Sequence, residues 1–85
     1  MKVQIKYFAS LREVLSISAE ELSLPENVRS IGDLRGYLMA RSELWGNALA
    51  QGKSIRIALN HQIVNEDALL ADGVEVAFFP PVTGG

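Results

Sequence analysis

The closing stretch of the chain limits its architecture more than any other. Val74, Val76 and Phe78 alternate with Glu75, Ala77 and Phe79, which is the period of a strand. Pro80-Pro81 follows at once. Proline fixes φ and carries no N–H, so the last strand must stop at Phe79. The chain must then leave the sheet on an extended, polyproline-like path. Beyond lie Val82, Thr83, Gly84 and Gly85, uncharged apart from the terminal carboxylate. Extended, the six residues from Pro80 to Gly85 span about 20 Å at roughly 3.3 Å each. That is long enough to carry the carboxylate into a partner's cleft. Gly84 and Gly85 have no Cβ and can pass a narrow channel. The expectation is a folded body over residues 1–79 and a tail over 80–85.

The rest of the chain reads as one small domain. Lys2 to Phe8 alternates, with Val3, Ile5 and Tyr7 on one face and Gln4, Lys6 and Phe8 on the other. Ser10 and Glu13 fit a capping box, predicting a short helix from Leu11 to Leu15. A second strand is expected over Glu20–Leu24, with Leu22 and Leu24 inward. Ser30 suits an N-cap, with Asp33 favourably placed for the helix dipole. Ile31, Leu34 and Leu38 then recur at helical spacing, giving a main helix over Ile31–Arg41. A second helical patch spans Glu43–Ala50, with Trp45 as a cap on the core. Strands follow over Ile55–Leu59 and Gln62–Val64, joined by an Asn60-His61 turn. Asn65–Leu70 reads as irregular, and Asp72-Gly73 as a turn. This order predicts an α+β fold, a mixed sheet with helices packed on one face and the first and last strands side by side in its middle.

Composition excludes several function classes. The 85 residues carry a net charge of −2 and a pI near 5.2, with no basic stripe, which argues against nucleic acid. No apolar run nears the roughly 20 residues of a membrane span, and the opening residues lack a signal-peptide core, so a cytoplasmic protein is expected. Zero cysteines remove disulfides, thiolate metal sites and a cysteine nucleophile together. If the chain handles sulfur, the sulfur sits somewhere other than on a side chain.

Catalytic side chains are equally scarce. His61 is the sole histidine and falls in a turn. Glu20-Glu21 and Glu66-Asp67 read as solvated charges without metal-binding companions. The sharper signal is Phe8 with Phe79, each an aromatic on a polar face. On neighbouring strands they would form an exposed patch at the root of the tail, as a docking surface requires.

Val3-Gln4-Ile5-Lys6-Tyr7-Phe8-Ala9-Ser10-Leu11-Arg12-Glu13 and the ending Asp72 to Gly85, above all Phe78-Phe79-Pro80-Pro81-Val82-Thr83-Gly84-Gly85, resemble the small subunits of molybdopterin synthase. Asn60, Ile63-Val64 and the helix from Ile31 extend the resemblance over essentially the whole chain. It implies the ubiquitin-like β-grasp and a sulfur carrier of molybdenum cofactor biosynthesis. By that resemblance an ATP-dependent activating enzyme adenylates Gly85, sulfur replaces AMP to leave a thiocarboxylate, and the tail enters the large synthase subunit. There the sulfur passes to cyclic pyranopterin monophosphate, within an assembly of two small and two large subunits. Gly85 carries the sulfur; Pro80, Pro81, Val82, Thr83 and Gly84 guide the tail. Phe8, Ile63, Phe79 and Arg12 match positions that meet the partner enzymes, although a surface salt bridge also suits Arg12. No resident cofactor or metal is implied. The alternatives are a ubiquitin-like protein modifier, a carrier for thiazole or tRNA thiolation, and a plain binding module.

Overall fold

Alternation sets the first strand. In the computed structural model, which describes residues 1–81, Val3, Ile5 and Tyr7 of β1 (Lys2–Tyr7) are buried while Lys2, Gln4 and Lys6 stay exposed. The helix α1 (Ala9–Leu15) follows, but the capping box expected on Ser10 and Glu13 does not form. Phe8 occupies the N-cap and no side chain caps the helix. Backbone geometry explains this. Phe8 N–H still donates to Phe78 O at 3.1 Å, and the chain turns its corner at Ala9, where φ is +51°. Ser10 therefore lies inside the helix instead of ahead of it.

The second capping signal is realised. Ser30 Oγ accepts the Asp33 amide at 3.1 Å, and the Asp33 carboxylate accepts the Ser30 amide at 3.2 Å. Two otherwise orphaned donors at the start of α2 (Ile31–Met39) are thus satisfied. The helix ends two residues earlier than its sequence pattern suggests, and α3 (Glu43–Ala48) opens on a Ser42 cap. The irregular segment after β4 is strapped across the start of α2: Ile31 N–H donates to Ala68 O at 2.9 Å and Gly32 N–H to Glu66 O at 2.8 Å. A Cβ on Gly32 would meet that Glu66 oxygen at 3.3 Å, so the close approach favours glycine here.

The remaining strands are β2 (Ala19–Ser23), β3 (Arg56–Leu59), β4 (Gln62–Val64) and β5 (Glu75–Phe79). They form one sheet in the order β2-β1-β5-β3-β4. The first and last strands lie side by side and parallel at its centre, as expected; the other pairings are antiparallel. Asn60 and His61 make the β3–β4 turn with positive φ, 48° and 72°, the twist that suits a tight hairpin. One side of the sheet presents Val3, Ile5, Tyr7, Ile57, Val76 and Phe78 to Leu11, Leu15, Ile31, Leu34, Leu38 and Leu49 from the helical side. Each such side chain withdrawn from water contributes about 1.5–3 kcal/mol. The expected α+β arrangement, a mixed sheet with helices packed on one face, is therefore what the chain forms. Leu24, read as the end of the second strand, is buried just past it, where its amide donates to Met1 O at 2.8 Å.

Candidate functional site

The other side of the sheet is where the candidate residues meet. Register decides which side chains share it. Arg56 stands opposite Phe79, Ala58 opposite Ala77, and Ile63 opposite Ala58, while Lys6 pairs with Ala77 across the central strands. Ile57 and Phe78, the alternate residues, point into the core. Phe8 and Phe79 stack almost face to face, ring centres 4.7 Å apart and planes 6° from parallel. Phe8 is exposed, Phe79 half-buried, and Ile63 keeps 61% of its surface in water. Ala58 and Ala77 are small and nearly covered, so they form a low floor between the aromatic pair and Ile63. The face holds none of the core cluster. An apolar patch of this kind, rimmed by Lys6, Arg56 and Glu75, has the composition of a protein-binding surface.

Sequence reasoning named Phe8, Phe79 and Ile63 and missed the alanine floor. Its signal was present: Ala58 and Ala77 each alternate with core residues in the strands beside the aromatic pair. Arg12 lies exposed on α1 and its side chain makes no hydrogen bond or ion pair among the described residues, so the surface salt bridge is not seen. Pro80 and Pro81 belong to no strand, Pro80 half-buried and Pro81 exposed. Val82, Thr83, Gly84 and Gly85 lie outside the described residues.

Of the acidic residues read as solvated charges, Glu21, Glu66 and Asp67 are exposed as expected, and Glu20 departs from the expectation. Glu20 sits on the helix side of edge strand β2 and accepts the Tyr7 hydroxyl at 2.8 Å. Arg41 grips both its oxygens, at 2.7 and 2.8 Å. The Arg41 guanidinium also lies 4.5 Å above the Trp45 ring, which meets Tyr7 edge-on at 5.4 Å. Trp45 thus caps the core as expected, and it carries a cation on its outer side. Burial pushes the Glu20 carboxyl up, but the hydrogen bonds from Arg41 and Tyr7, with the Arg41 charge, outweigh it and hold the group below its ordinary value. Burial, then the Glu20 hydrogen bond and charge, drives the Tyr7 hydroxyl far above its ordinary range, so it stays a donor.

A carboxyl depressed in the folded state stabilises that state above its unfolded value and loses the contribution as pH falls through the folded one. Stability should therefore decline below about pH 4.5, the ordinary value for glutamate. Asp33, held low by the Arg29 and Ser30 amides, acts in the same sense. Glu20→Gln is expected to cost about 1–2 kcal/mol at neutral pH, since the anion facing Arg41 is lost and one of its two acceptor oxygens becomes an NH2 set against a donor. It should also flatten part of the acid decline. Urea titrations at pH 7 and pH 4 check this; an unchanged acid slope would contradict it.

His61 is exposed in its turn, its Nε2 3.4 Å from Glu75 Oε2, and no nucleophile accompanies it. A groove of about 540 Å³ lined by Met1, Pro25, Glu26, Arg29, Leu69 and Leu70 lies at the pole where β1 begins, remote from the end of β5. Among the described residues no three acidic or histidine side chains gather as a metal site would require, and no helix is long and apolar enough to cross a membrane.

The sheet order, with a parallel central pair and helices on one side, defines a ubiquitin-like protein of the β-grasp class. The model of the ThiS family matches residues 5–85. The molybdopterin synthase sulfur carrier subunit of Escherichia coli is 40% identical over 98% of this chain and 99% of its own length. A chain of a protein–protein complex of subunits 1 and 2 of molybdopterin-converting factor from Helicobacter pylori superposes with a TM-score of 0.67 at 26% identity, each chain fully covered. SAMP1 of Haloferax volcanii, a small archaeal modifier protein, matches with a TM-score of 0.80 over all of both chains. At 23% identity that likeness concerns the fold alone. The chain belongs to the ThiS family, alongside the molybdopterin synthase sulfur carrier subunits.

Proposed function

We propose that this chain is the sulfur-carrying subunit of a molybdopterin synthase, a β-grasp body over residues 1–79 that presents a reactive tail over 80–85. The observation that carries the reading is the placement of the Phe8–Phe79 stack, on the uncovered sheet face, directly before Pro80. A partner that grips this stack receives the tail at its root. The full-length likeness to the Escherichia coli sulfur carrier subunit supports the same role.

The chemistry belongs to Gly85. A carboxylate is a poor acyl electrophile. Attack of the Gly85 carboxylate on the α-phosphorus of ATP forms an acyl-adenylate and releases pyrophosphate; an activating enzyme supplies that step. A sulfur nucleophile then displaces AMP and leaves a thiocarboxylate on Gly85. Inside the large synthase subunit the sulfur displaces an oxygen substituent from a side-chain carbon of cyclic pyranopterin monophosphate, a carbon–sulfur bond forming as the carbon–oxygen bond breaks. Water hydrolyses the resulting thioester, leaving sulfur on the pterin and a carboxylate on Gly85. The body contributes binding and aim, and on its own it catalyses nothing. The assembly is two small and two large subunits. In a strain lacking its own small synthase subunit, expression of this chain restores molybdenum-enzyme activity; no rescue, with the protein present and folded, would overturn the reading.

Docking has its own test. Phe79→Asp sets a charge in the middle of the aromatic contact. It should weaken binding to the large subunit by a hundredfold or so, about 2–3 kcal/mol, as loss of a buried aromatic anchor does. Titration calorimetry with the unmodified chain as reference measures this, and equal affinity would remove the face from the account.

A modifier joined to lysines would use the same activated end, and the SAMP1 likeness shows that this fold occurs in a protein named a modifier. Conjugates of higher mass, in place of a sulfur-charged chain, would mark that route.

A further inference from the structure

Arg56 occupies the same row of the open face as the aromatic stack, directly across from Phe79. It is exposed, and among the described residues its side chain makes no hydrogen bond or ion pair. The neighbouring charges are already engaged. Lys6 Nζ lies 3.1 Å from Glu75 Oε1 on the same face. Glu66 shares a shallow depression with Arg56 and Ile63, but its carboxylate faces Arg35 Nη1 and Gln51 Nε2, each at 3.4 Å. Arg56 therefore stands as an unmatched cation beside the apolar patch, at the end of the sheet where β5 hands over to the tail.

Its surroundings strengthen the point. Arg12 and Lys53, also exposed and without an ion pair among the described residues, lie on segments at the same end of the sheet, just after β1 and just before β3. Glu26 and Asp72 lie at the opposite end, together with Lys2 and Arg29. Arg12, Lys53 and Arg56 thus stand at the end where the tail departs, with Glu13 beside Arg12 on α1. Such an arrangement steers encounter with a surface of opposite sign. The floor of Ala58 and Ala77 permits close backbone approach, which would bring a partner's side chain level with the guanidinium. A planar guanidinium at the rim of an apolar patch suits a carboxylate, which it binds through two parallel hydrogen bonds.

We infer that Arg56 pairs with a carboxylate on the protein that receives the tail, next to the pocket that takes Phe8 and Phe79. This rests on the docking reading above. The Helicobacter pylori relative, solved in a complex of subunits 1 and 2, shows that a chain of this fold binds a second protein.

The test is association of the chain with the large molybdopterin synthase subunit from the same source, followed by stopped-flow fluorescence. Arg56→Glu should slow association about tenfold near 0.05 M salt, and the difference should shrink below about twofold near 0.5 M, where the screening length is only a few ångströms. Arg56→Lys, which keeps the charge, should stay within about threefold of the unmodified chain at low salt. Circular dichroism establishes that both variants fold. Association of Arg56→Glu as fast as the unmodified chain, or faster, would overturn the inference while leaving docking intact. No association of the unmodified chain at any salt concentration would overturn the docking reading, and the inference with it.

Discussion

A chain ending at Gly84 is expected to fold as the full chain does and to lose at least about 99% of its sulfur donation. The fold part follows from where the contacts lie. Every member of the core cluster precedes Pro80, and the last strand closes at Phe79. Removal of the final residue takes away no buried surface that the described residues contribute. The activity part follows from reach. The reacting carbonyl moves back by one residue, about 3.3 Å, whereas acyl transfer needs reacting atoms within about 3–3.5 Å of one another. A misplacement of that size is expected to lower sulfur donation by at least about a hundredfold. Molybdopterin formation with purified activating enzyme, large subunit, ATP and a sulfur source measures it, with a urea titration as the control for folding. Substantial activity from the shortened chain would contradict a reactive terminus.

The second large effect concerns Arg35, which is 3% exposed in the middle of α2. Its Nε donates to Leu49 O at 2.7 Å, and its Nη2 to Ala50 O at 2.7 Å and Lys53 O at 3.3 Å. One guanidinium thus satisfies the carbonyls at the end of α3 and holds the loop that leads into β3. Its ion pair with Glu66, at 3.4 Å, contributes less, because the Glu66 side chain is 44% exposed and screened. Arg35→Met keeps the stem and removes the donors. It leaves the carbonyl of buried Leu49, which cannot recruit water, without a partner, and leaves Ala50 O with only the Lys53 amide at 3.0 Å. A loss of about 3 kcal/mol is expected, a large part of the stability of a small domain. Arg35→Lys should recover less than half, since one ammonium cannot fork to three carbonyls. Urea midpoints decide it, and a loss under about 0.5 kcal/mol would show that the bracket is dispensable.

Arg35 also marks the limit of what the sequence discloses. Ile31, Leu34 and Leu38 announce the buried stripe of α2, and Arg35, four residues after Ile31, falls on that same stripe. A cation there signals buried carbonyls in need of a donor, yet which carbonyls depends on how α3 and its loop return. Tertiary contacts of this sort are not written in local spacing. Glu20 is similar: Glu20-Glu21 looks like paired surface charge, and only the approach of Arg41 from the end of α2 turns Glu20 into a bound anion. Local signals fared better where one residue decides the outcome. Ser30 with Asp33 foretold a cap, Asp72-Gly73 a turn with Gly73 at φ +84°, and Pro80-Pro81 the end of β5. The same type of signal at Ser10 misled, because the strand before it holds its hydrogen bonds one residue too long. The exposed aromatic patch was legible in outline, since Phe8 and Phe79 break the polar side of their alternations. Its alanine floor and its arginine emerge only from the register between strands.

The central claim is that the cargo rides on the final carbonyl of a tail while the body serves as its handle. Its most direct measurement is the intact mass of this chain after incubation with a purified activating enzyme, ATP and a sulfur source. The expected result is the increase for one oxygen exchanged for sulfur, located by fragmentation at Gly85 and absent when ATP is withheld. A mass that stays unchanged, or sulfur found on any other residue, would contradict it.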